Sequence, residues 1–242
     1  MIARFYCPIR LEPGRTLTLP PEAAHHALRV LRLRSGDEMV LFDGLGGEYP
    51  GRVVEASGIL RVALEARRDN ECEAPLALTL VQGLPAGDKM DWVVQKAVEL
   101  GAVRIQPVQA KHSVVRLKGE RADKRIAHWQ QVAISSCEQS GRNRLPKISA
   151  ILDLPHYLAM AADENETRLL LSPRPGVSLS AMPRPPGAVT LLVGPESGFD
   201  ESEESAAHSV GFRSVNLGPR VLRTETAGLA AMAAIQALWG DF

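Results

Sequence analysis

The sequence lacks the features that would place the chain in a membrane or in an oxidising compartment. No apolar run approaches the roughly 20 residues that span a bilayer. The first eight residues, MIARFYCP, contain neither the apolar core nor the cleavage site of a signal peptide. The three cysteines, at positions 7, 72 and 137, are odd in number and widely spaced, which favours neither a disulfide framework nor a zinc site. We therefore expect a cytoplasmic protein without membrane association.

Net charge is also absent, since 28 basic and 28 acidic side chains cancel. Their distribution is uneven. Residues 83–150 hold 12 basic and 6 acidic side chains, whereas residues 151–242 hold 6 basic and 11 acidic ones. A basic middle segment suits a polyanionic partner such as RNA. Ordinary solvated helix faces would give the same counts, so charge alone leaves both interpretations open.

The first seventy residues have the pattern of a small β-rich domain. Three strand-like runs, 38–43, 48–55 and 59–66, are separated by glycine-containing turns. Short strands at this spacing predict a small barrel. Residues 67–75 (RRDNECEAP) are polar, end in proline and have the composition of a linker. We place the domain boundary in this segment and predict domains at 1–72 and 73–242.

From Leu76 onward the apolar period changes, and strands alternate with helices. This alternation predicts an α/β domain whose mostly parallel sheet is covered by helices on both faces. The predicted strands are 76–82, 103–108, 167–171, 188–193 and 214–217, and the predicted helices are 88–101, 120–139, 152–162, 201–210 and 226–239.

A glycine-containing loop, GPESG at residues 194–198, follows the apolar strand 188–193 directly. Ligands bind at such strand ends in open α/β sheets, and glycine lets backbone approach them closely. Asp200 and Glu203 have the spacing of a capping box, with further carboxylates beside them. These acids would repel phosphate, so the loop favours a neutral or cationic ligand. A plain strand-to-helix turn has the same pattern.

A second loop, LGPRVLRTET at residues 217–226, also lies between a strand and a helix. Its apolar side chains could pack on an adenine, and its hydroxyls could bind a ribose or a carboxylate. The helix that follows is apolar nearly all round, so we expect it to be buried in the core or at a subunit interface. Solvated arginines and an ordinary helix start are the alternative interpretation of this loop.

Together these motifs resemble the SPOUT class of RNA methyltransferases, and more closely the RsmE family, which methylates N3 of a uridine in 16S ribosomal RNA. The resemblance covers nearly the whole chain. It rests on HALRVLRLRSGDEMVLFDG, GDKMDWVVQKAVELGAVRIQPV, WQQVAISSCEQSGRNRLP, GPESGFDESE and LGPRVLRTETA. It implies a PUA-like N-terminal barrel, a trefoil-knotted C-terminal α/β domain and a homodimer with active sites at the interface.

The resemblance also implies S-adenosylmethionine as cofactor, with the small ribosomal subunit as substrate. The family usually has glycine at the position of Ser197, where serine would be strained if φ were positive. The implied cofactor-binding residues are Leu170, Leu171, Gly194, Pro195, Glu196, Gly198, Leu217, Gly218, Leu222, Arg223, Thr224, Thr226 and Ala227.

Two arginine-rich segments are the predicted RNA-binding sites. One comprises Arg142, Asn143 and Arg144, whose guanidinium and amide groups suit phosphates and base edges. Solvated arginines at a helix end are the alternative for this segment. The other segment, in the N-terminal domain, is the cluster of Arg29, Arg32 and Arg34. A spacer is the alternative interpretation of that domain.

Two pairs of residues fill the predicted catalytic roles. A base must remove the N3 proton, and Glu138 and Glu225 are the candidates. An arginine, Arg223 or Arg142, would stabilise negative charge on the uracil ring.

We predict no metal site. His25 and His26 are adjacent on a helix, point apart and have no third ligand nearby. Lys89, Lys96 and Lys111 are expected to be solvated.

The alternative functions are methylation of another RNA position, such as a ribose 2′-hydroxyl, and non-catalytic RNA binding during ribosome assembly.

Overall fold

The computed structural model describes residues 2–160, 163, 165–174 and 176–242. The chain divides into two compact units. The first comprises residues 1–73 together with Ile134–Leu145, and the second comprises Ala74–Ala133 and Pro146–Phe242. The return of residues 134–145 to the first unit is a tertiary feature that a linear boundary cannot express.

The first unit is built on a five-stranded mixed sheet. Strand β1 pairs with β3 in parallel and the other pairs are antiparallel, in the order β1-β3-β4-β5-β2. The predicted barrel is therefore not closed by hydrogen bonds among the described residues, because β1 and β2 are edges. The elements are β1 (Ala3–Tyr6), β2 (Thr16–Thr18), α1 (Pro21–His25), a π-helical turn (His26–Val30), β3 (Glu38–Phe42), β4 (Tyr49–Ala56) and β5 (Leu60–Leu64).

One face of this sheet carries the core of the first unit. Alternate residues of β4 and β5 point inward, and Val53, Leu60 and Val62 are almost fully buried there. Each such aliphatic side chain stabilises the fold by about 1.5–3 kcal/mol. Helix α1 follows Pro20, and Pro21 stands in its first turn, where its missing N–H is harmless.

The second unit is an eight-stranded sheet in which every pairing between the described strands is parallel, confirming the predicted α/β class. The strand order is β11-β13-β10-β12-β6-β7-β8, and β9 also pairs with β7. Its elements are β6 (Leu78–Gly83), α2 (Lys89–Glu99), β7 (Ala102–Gln109), α3 (Glu120–Ser140), β8 (Lys147–Ile148), β9 (Leu152–Asp153), α4 (Leu154–Leu158), β10 (Thr167–Leu171), β11 (Val177–Ser178), β12 (Val189–Val193), α5 (Glu201–Ser209), β13 (Arg213–Asn216) and α6 (Thr224–Trp239).

The central strands β10, β12 and β6 are mostly apolar, as expected of a parallel sheet that helices cover on both faces. All five residues of β12 are buried, and α6 packs on β12, β6 and α2. Gly228 of α6 allows this close approach, since a Cβ there would lie 3.2 Å from Leu80. Among the described residues, none of the helices combines the length and the apolarity that crossing a membrane requires.

The helix predicted over 152–162 is wrong in its first part. Leu152 and Asp153 form strand β9, and helix α4 begins only at Leu154. The physical reason is Pro155, which suits the first turn of a helix but has no N–H to donate to a carbonyl four residues earlier, so the helix does not extend toward Leu152. Helix α4 ends at Leu158, so the prediction is also wrong at Ala159 and Met160; its last two residues, Ala161 and Ala162, lie outside the described residues.

Candidate cofactor site

A cavity of about 760 Å³ opens at the carboxyl ends of three neighbouring strands of the second unit. Strands β13, β10 and β12 lie side by side in the sheet, and the loops that leave all three line the cavity. This edge of a parallel sheet is the usual ligand site of open α/β folds. The volume falls within the range of about 300–1,000 Å³ that small-molecule sites occupy.

The structure brings the two predicted loops together in this cavity. Most of the predicted cofactor residues line it, but two do not. Leu170 is buried within β10, and Thr226 is exposed on α6. The predicted residues that line the cavity are Leu171, Gly194, Pro195, Glu196, Gly198, Leu217, Gly218, Leu222, Arg223, Thr224 and Ala227.

A chain of hydrogen bonds joins the two loops beneath the cavity. The Nε2 of Gln82, at the end of β6, donates to the Thr224 hydroxyl over 2.8 Å. That hydroxyl in turn donates to the carbonyl oxygen of Gly194. Gln82 and Thr224 are buried, so the bond between their side chains is made away from competing water. Thr224 therefore fixes the start of α6 against the first loop.

The backbone of the first loop, residues 194–198, also packs closely against strand β6. A Cβ on Gly83 would lie 2.5 Å from the backbone nitrogen of Pro195, so only glycine fits between β6 and this loop. Within the loop, Gly198 has φ +69°, whereas Ser197 is not in the left-handed region. The strain considered for serine at position 197 is therefore absent, and its hydroxyl donates to the carbonyl of His112 over 3.3 Å.

Lys89 lies at the cavity between carboxylates of both loops. Its Nζ is 3.0 Å from Glu196 Oε1 and 3.4 Å from Glu225 Oε2. Burial raises the pKa of Glu196, but hydrogen bonds from the Ala86 backbone amide and from Lys89 outweigh this and leave the pKa lowered. The prediction that Lys89 is simply solvated is wrong, because folding brings two distant acids to it.

The other two lysines are paired as well. Lys96 bonds Glu99 on its own helix, and Lys111 bonds Asp200 over 2.9 Å. Asp200 is the N-cap of α5, and the predicted capping box with Glu203 is present in both directions. Its hydrogen bonds from Ser202, the Glu203 amide and Lys111 lower the Asp200 pKa.

A third side of the cavity was missed by sequence reasoning. Ser172, Pro173 and Arg174 follow β10 and line the cavity, and the Ser172 hydroxyl donates to Glu204 Oε1 over 3.1 Å. Arg174 lies 3.3 Å from the same Glu204 carboxylate. The sequence did contain a signal for these residues, because β10 is an apolar strand and ligands bind beyond the carboxyl ends of strands in open α/β sheets.

The predicted residues Glu138, Arg142, Asn143 and Arg144 belong to the first unit rather than to the unit with the cavity. Arg142 is 2% exposed, and its guanidinium bonds Glu73 over 2.6 Å. Asn143 is fully buried and donates to the Asn70 carbonyl over 2.6 Å. Neither side chain is open to RNA in this conformation, because both have partners inside the unit. Their roles in RNA contact and catalysis stay predictions.

Arg144 and Glu138 are less buried than Arg142 and Asn143. The guanidinium of Arg144 is 58% exposed and lies 3.3 Å from Glu71. Glu138 is half-buried and accepts a hydrogen bond from the Tyr6 backbone amide over 3.0 Å. Burial raises the pKa of Glu138. A carboxyl group with a raised pKa is closer to the range in which a general base operates at neutral pH.

The three arginines of the first unit that were predicted to bind RNA lie on an irregular segment. Arg29 lies in the π-helical turn His26–Val30, and Arg32 adopts φ +56°, which is uncommon for a residue other than glycine. Arg29, Arg32 and Arg34 are all exposed, and none has an ion-pair partner in the part of the chain that the structure describes. Across the same described ranges, no group of three or more metal-binding side chains occurs.

Comparison with known proteins identifies the class to which this fold and cavity belong. Residues 72–236 match a family model described as an RNA methyltransferase domain, and residues 19–60 match one described as an RNA methyltransferase PUA domain. The matches cover both the eight-stranded sheet with its cavity and much of the small mixed sheet. The fold is thus that of an RNA methyltransferase with an N-terminal PUA domain.

Full-length relatives specify the family. A ribosomal RNA small subunit methyltransferase E from Bacillus subtilis is 32% identical, over 93% of this chain and 91% of the relative. A crystal structure of the enzyme of that name from Neisseria gonorrhoeae, bound to S-adenosylmethionine, is 42% identical with a TM-score of 0.93 and full coverage of both chains. A methyltransferase from Legionella pneumophila, in complex with the same cofactor, is 33% identical with a TM-score of 0.94, again over both whole chains. The chain belongs to the family of ribosomal RNA small subunit methyltransferase E, the RsmE family.

Proposed function

We propose that this chain methylates N3 of a uridine in 16S ribosomal RNA of the small subunit, with S-adenosylmethionine as cofactor. The observation that carries the proposal is the cavity formed by the loops after β10, β12 and β13, in a chain that belongs to this family. Relatives in the same family carry ribosomal RNA in their names, and two solved neighbours hold the cofactor.

The residues present in the cavity fit S-adenosylmethionine. The ligand is about the size of a nucleoside joined to an amino acid, and it carries a sulfonium and an ammonium group. The cavity offers apolar walls from Leu217 and Leu222, and carboxylates from Glu196, Glu204 and Glu225. One oxygen of Glu225 is buried and makes no hydrogen bond among the described residues, its contact there being the 3.4 Å ion pair with Lys89. Carboxylates facing a cationic ligand satisfy its charge, whereas they would repel a phosphate.

Bound S-adenosylmethionine supplies an electrophilic methyl group on its sulfonium. The chain must then hold the uridine in line with that methyl group and help N3 lose its proton. As the N–C bond forms and the C–S bond breaks, the N3 proton passes to a base. Arg223 lines the cavity and is exposed, so its guanidinium is available to stabilise negative charge on the uracil ring. Glu225, also at the cavity, and Glu138 are the candidate bases.

RNA binding is assigned to the exposed arginines of the first unit and to Arg144. Arg29, Arg32 and Arg34 are three exposed arginines on one short segment. Guanidinium groups bind phosphates in two-point geometry and stack on exposed bases. Contacts of this kind give affinity and position the substrate, whereas selection of one uridine requires contacts to the base itself.

We further propose that the protein acts as a homodimer. The last helix leaves Leu238 45% exposed, and Phe242, four positions further along the chain, is 68% exposed. Burial of such exposed apolar side chains favours a protein interface over solvent. Light scattering after size-exclusion chromatography tests this: we expect twice the chain mass, and a shift toward the monomer for Leu238→Glu. A monomeric wild type would contradict the dimer.

The function is tested by methyl transfer to purified small subunits lacking the modification, with naked 16S RNA in parallel. We expect radiolabel from S-adenosylmethionine to enter RNA and mass spectrometry of the nucleosides to give N3-methyluridine. A 2′-O-methylated nucleoside would replace the proposed position by the ribose. Absence of both transfer and cofactor binding at millimolar concentration would favour a non-catalytic assembly protein.

A further inference from the structure

Lys89 is the first residue of α2 and contacts both cofactor loops. Its Nζ lies within 3.4 Å of one oxygen from Glu196, in the loop after β12, and of one from Glu225, at the start of α6. The backbone amide of Ala86, three residues earlier, donates to the same Glu196 oxygen over 2.9 Å. The start of α2 thus makes three contacts with acids that the sequence places more than 100 residues away.

These contacts are partly shielded from water. The side chains of Lys89 and Glu196 are about one third exposed, at 33% and 34%, and Glu225 is 17% exposed. The Glu225 oxygen that faces Lys89 is buried, and its contact with Lys89 Nζ is an ion pair of 3.4 Å rather than a hydrogen bond. The hydrogen bond to Glu196 raises the Lys89 pKa, with further contributions from the charges of both acids. An ammonium group with three donors is the side chain that can hold two carboxylates at once.

We propose that Lys89 is a positioning residue that locks the two cofactor loops into their binding arrangement by pairing with one carboxylate from each. The inference rests on the proposed function, because it assumes that the cavity holds S-adenosylmethionine. Lys89 acts through Glu196 and Glu225, which it keeps side by side although their charges repel each other. A preformed site binds more tightly because less ordering is needed when the ligand arrives.

The direction in which cofactor affinity changes when Lys89 is removed distinguishes a positioning role from a purely electrostatic one. S-adenosylmethionine carries two positive groups and one negative group, so its net charge is positive. If Lys89 acted only through its charge, removal would make the cavity more negative and tighten cofactor binding. If Lys89 holds the loops, removal leaves two carboxylates to repel one another and weakens binding. The two accounts therefore predict opposite directions.

The test is calorimetric titration of S-adenosylmethionine into the full-length protein and its variants. We expect Lys89→Met to weaken binding by about tenfold, and to raise the cofactor KM while kcat at saturating cofactor changes by less than about threefold. Lys89→Arg, which retains the charge and donors, should restore the affinity to within about threefold of the wild type. Unchanged or tighter binding by Lys89→Met would overturn the proposal.

Lys96→Met is the matched control, because Lys96 lies on the same helix, is 29% exposed and has one ion pair, with Glu99, away from the cavity. We expect it to bind the cofactor like the wild type, and an equal loss of affinity in both variants would overturn the proposal. A double-mutant cycle that combines Lys89→Arg with Glu225→Gln covers the case in which Lys89→Met fails to fold. Arginine at position 89 should keep the wild-type cofactor affinity only while Glu225 is a carboxylate, so the double variant should bind more weakly than Lys89→Arg alone. Equal affinity of the double variant and Lys89→Arg would contradict the bridge.

The proposed cavity is tested separately by Leu222→Arg, which adds bulk and positive charge to its apolar wall. Loss of cofactor binding in this variant supports the location, with Val114→Arg, 80% exposed and outside the cavity, as the control. If Leu222→Arg binds normally, the location of the cofactor site fails. If only Lys89→Met binds normally, the cavity stands and the role of Lys89 fails.

Discussion

Replacement of Thr224 by valine removes one hydroxyl and keeps the shape of the side chain. That hydroxyl accepts a hydrogen bond from Gln82 Nε2 over 2.8 Å and donates one to the Gly194 carbonyl. Gln82 is 0% exposed, so its freed N–H has no water to replace the lost acceptor. The substitution therefore leaves a buried donor unsatisfied at the junction of β6, the first loop and α6.

The expected destabilisation follows from that single donor. An unsatisfied buried polar group costs about 1–3 kcal/mol, so we expect Thr224→Val to lower the free energy of unfolding by about 2 kcal/mol. The Gly194 carbonyl is only half-buried and can bind water instead, so it adds little. For a chain of this length the loss corresponds to a fall in Tm of about 4–8 °C. Urea denaturation and calorimetry measure the two quantities.

Thr226→Val provides the control, since it makes the same chemical change two residues further along the same helix. Thr226 is exposed, and a surface change of this kind alters stability by less than about 0.5 kcal/mol. Equal destabilisation in the two variants, or a loss below that limit for Thr224→Val, would refute the argument that the buried chain of hydrogen bonds holds the loops.

Three further predictions concern catalysis, titration and RNA binding. Arg223→Ala should lower methyl transfer at least about a hundredfold with an unchanged circular dichroism spectrum; near-normal turnover would remove Arg223 from the mechanism. Because burial raises the folded-state pKa of Glu138, the folded protein holds its proton longer than the unfolded chain does. Stability should therefore fall as the pH rises from the ordinary glutamate value, about 4.3, through the raised folded value. Glu138→Gln should show no such step in urea midpoints measured against pH, and an identical profile would contradict the assignment. Replacement of Arg29, Arg32 and Arg34 together by alanine should weaken RNA binding and reduce its salt dependence by about 2–3 logarithmic slope units; an unchanged slope in filter-binding titrations would exclude phosphate contacts by this segment.

Local pattern predicted the elements of the second unit well. The limits of β10 were predicted at 167–171, and α3 differs by one residue at its end. Long amphipathic or apolar segments carry several repeats of their period, so they are recognisable without tertiary context. The two-residue strands β8 and β11 were missed because so short a segment has no period at all. Their strand geometry comes from pairing with β7 and β13.

The candidate site likewise has a part that the sequence predicted and a part that it did not. Gly194–Gly198 and the segment that begins at Leu217 were visible because each follows a strand, and strand ends in a parallel sheet converge on one edge. At the carboxyl end of β10, Leu171 was predicted from the sequence but Ser172–Arg174, which also line the cavity, were not. The sequence context of Arg142 favours an exposed arginine, whereas the fold buries it on Glu73; its role in RNA contact stays a prediction.

The sequence by itself determined the α/β class, the two strand-end loops, the capping box of α5 and, through motif resemblance, the family. These properties depend on periodicity and on short spacings, which lie within one segment of chain. Tertiary structure alone decided that Lys89 meets Glu196 and Glu225, that Thr224 joins Gln82 to Gly194, and that residues 134–145 return to the first unit. Each of these contacts joins residues about 30 to 140 positions apart. They exist because the parallel sheet sets strand order independently of chain order, so no local pattern records them.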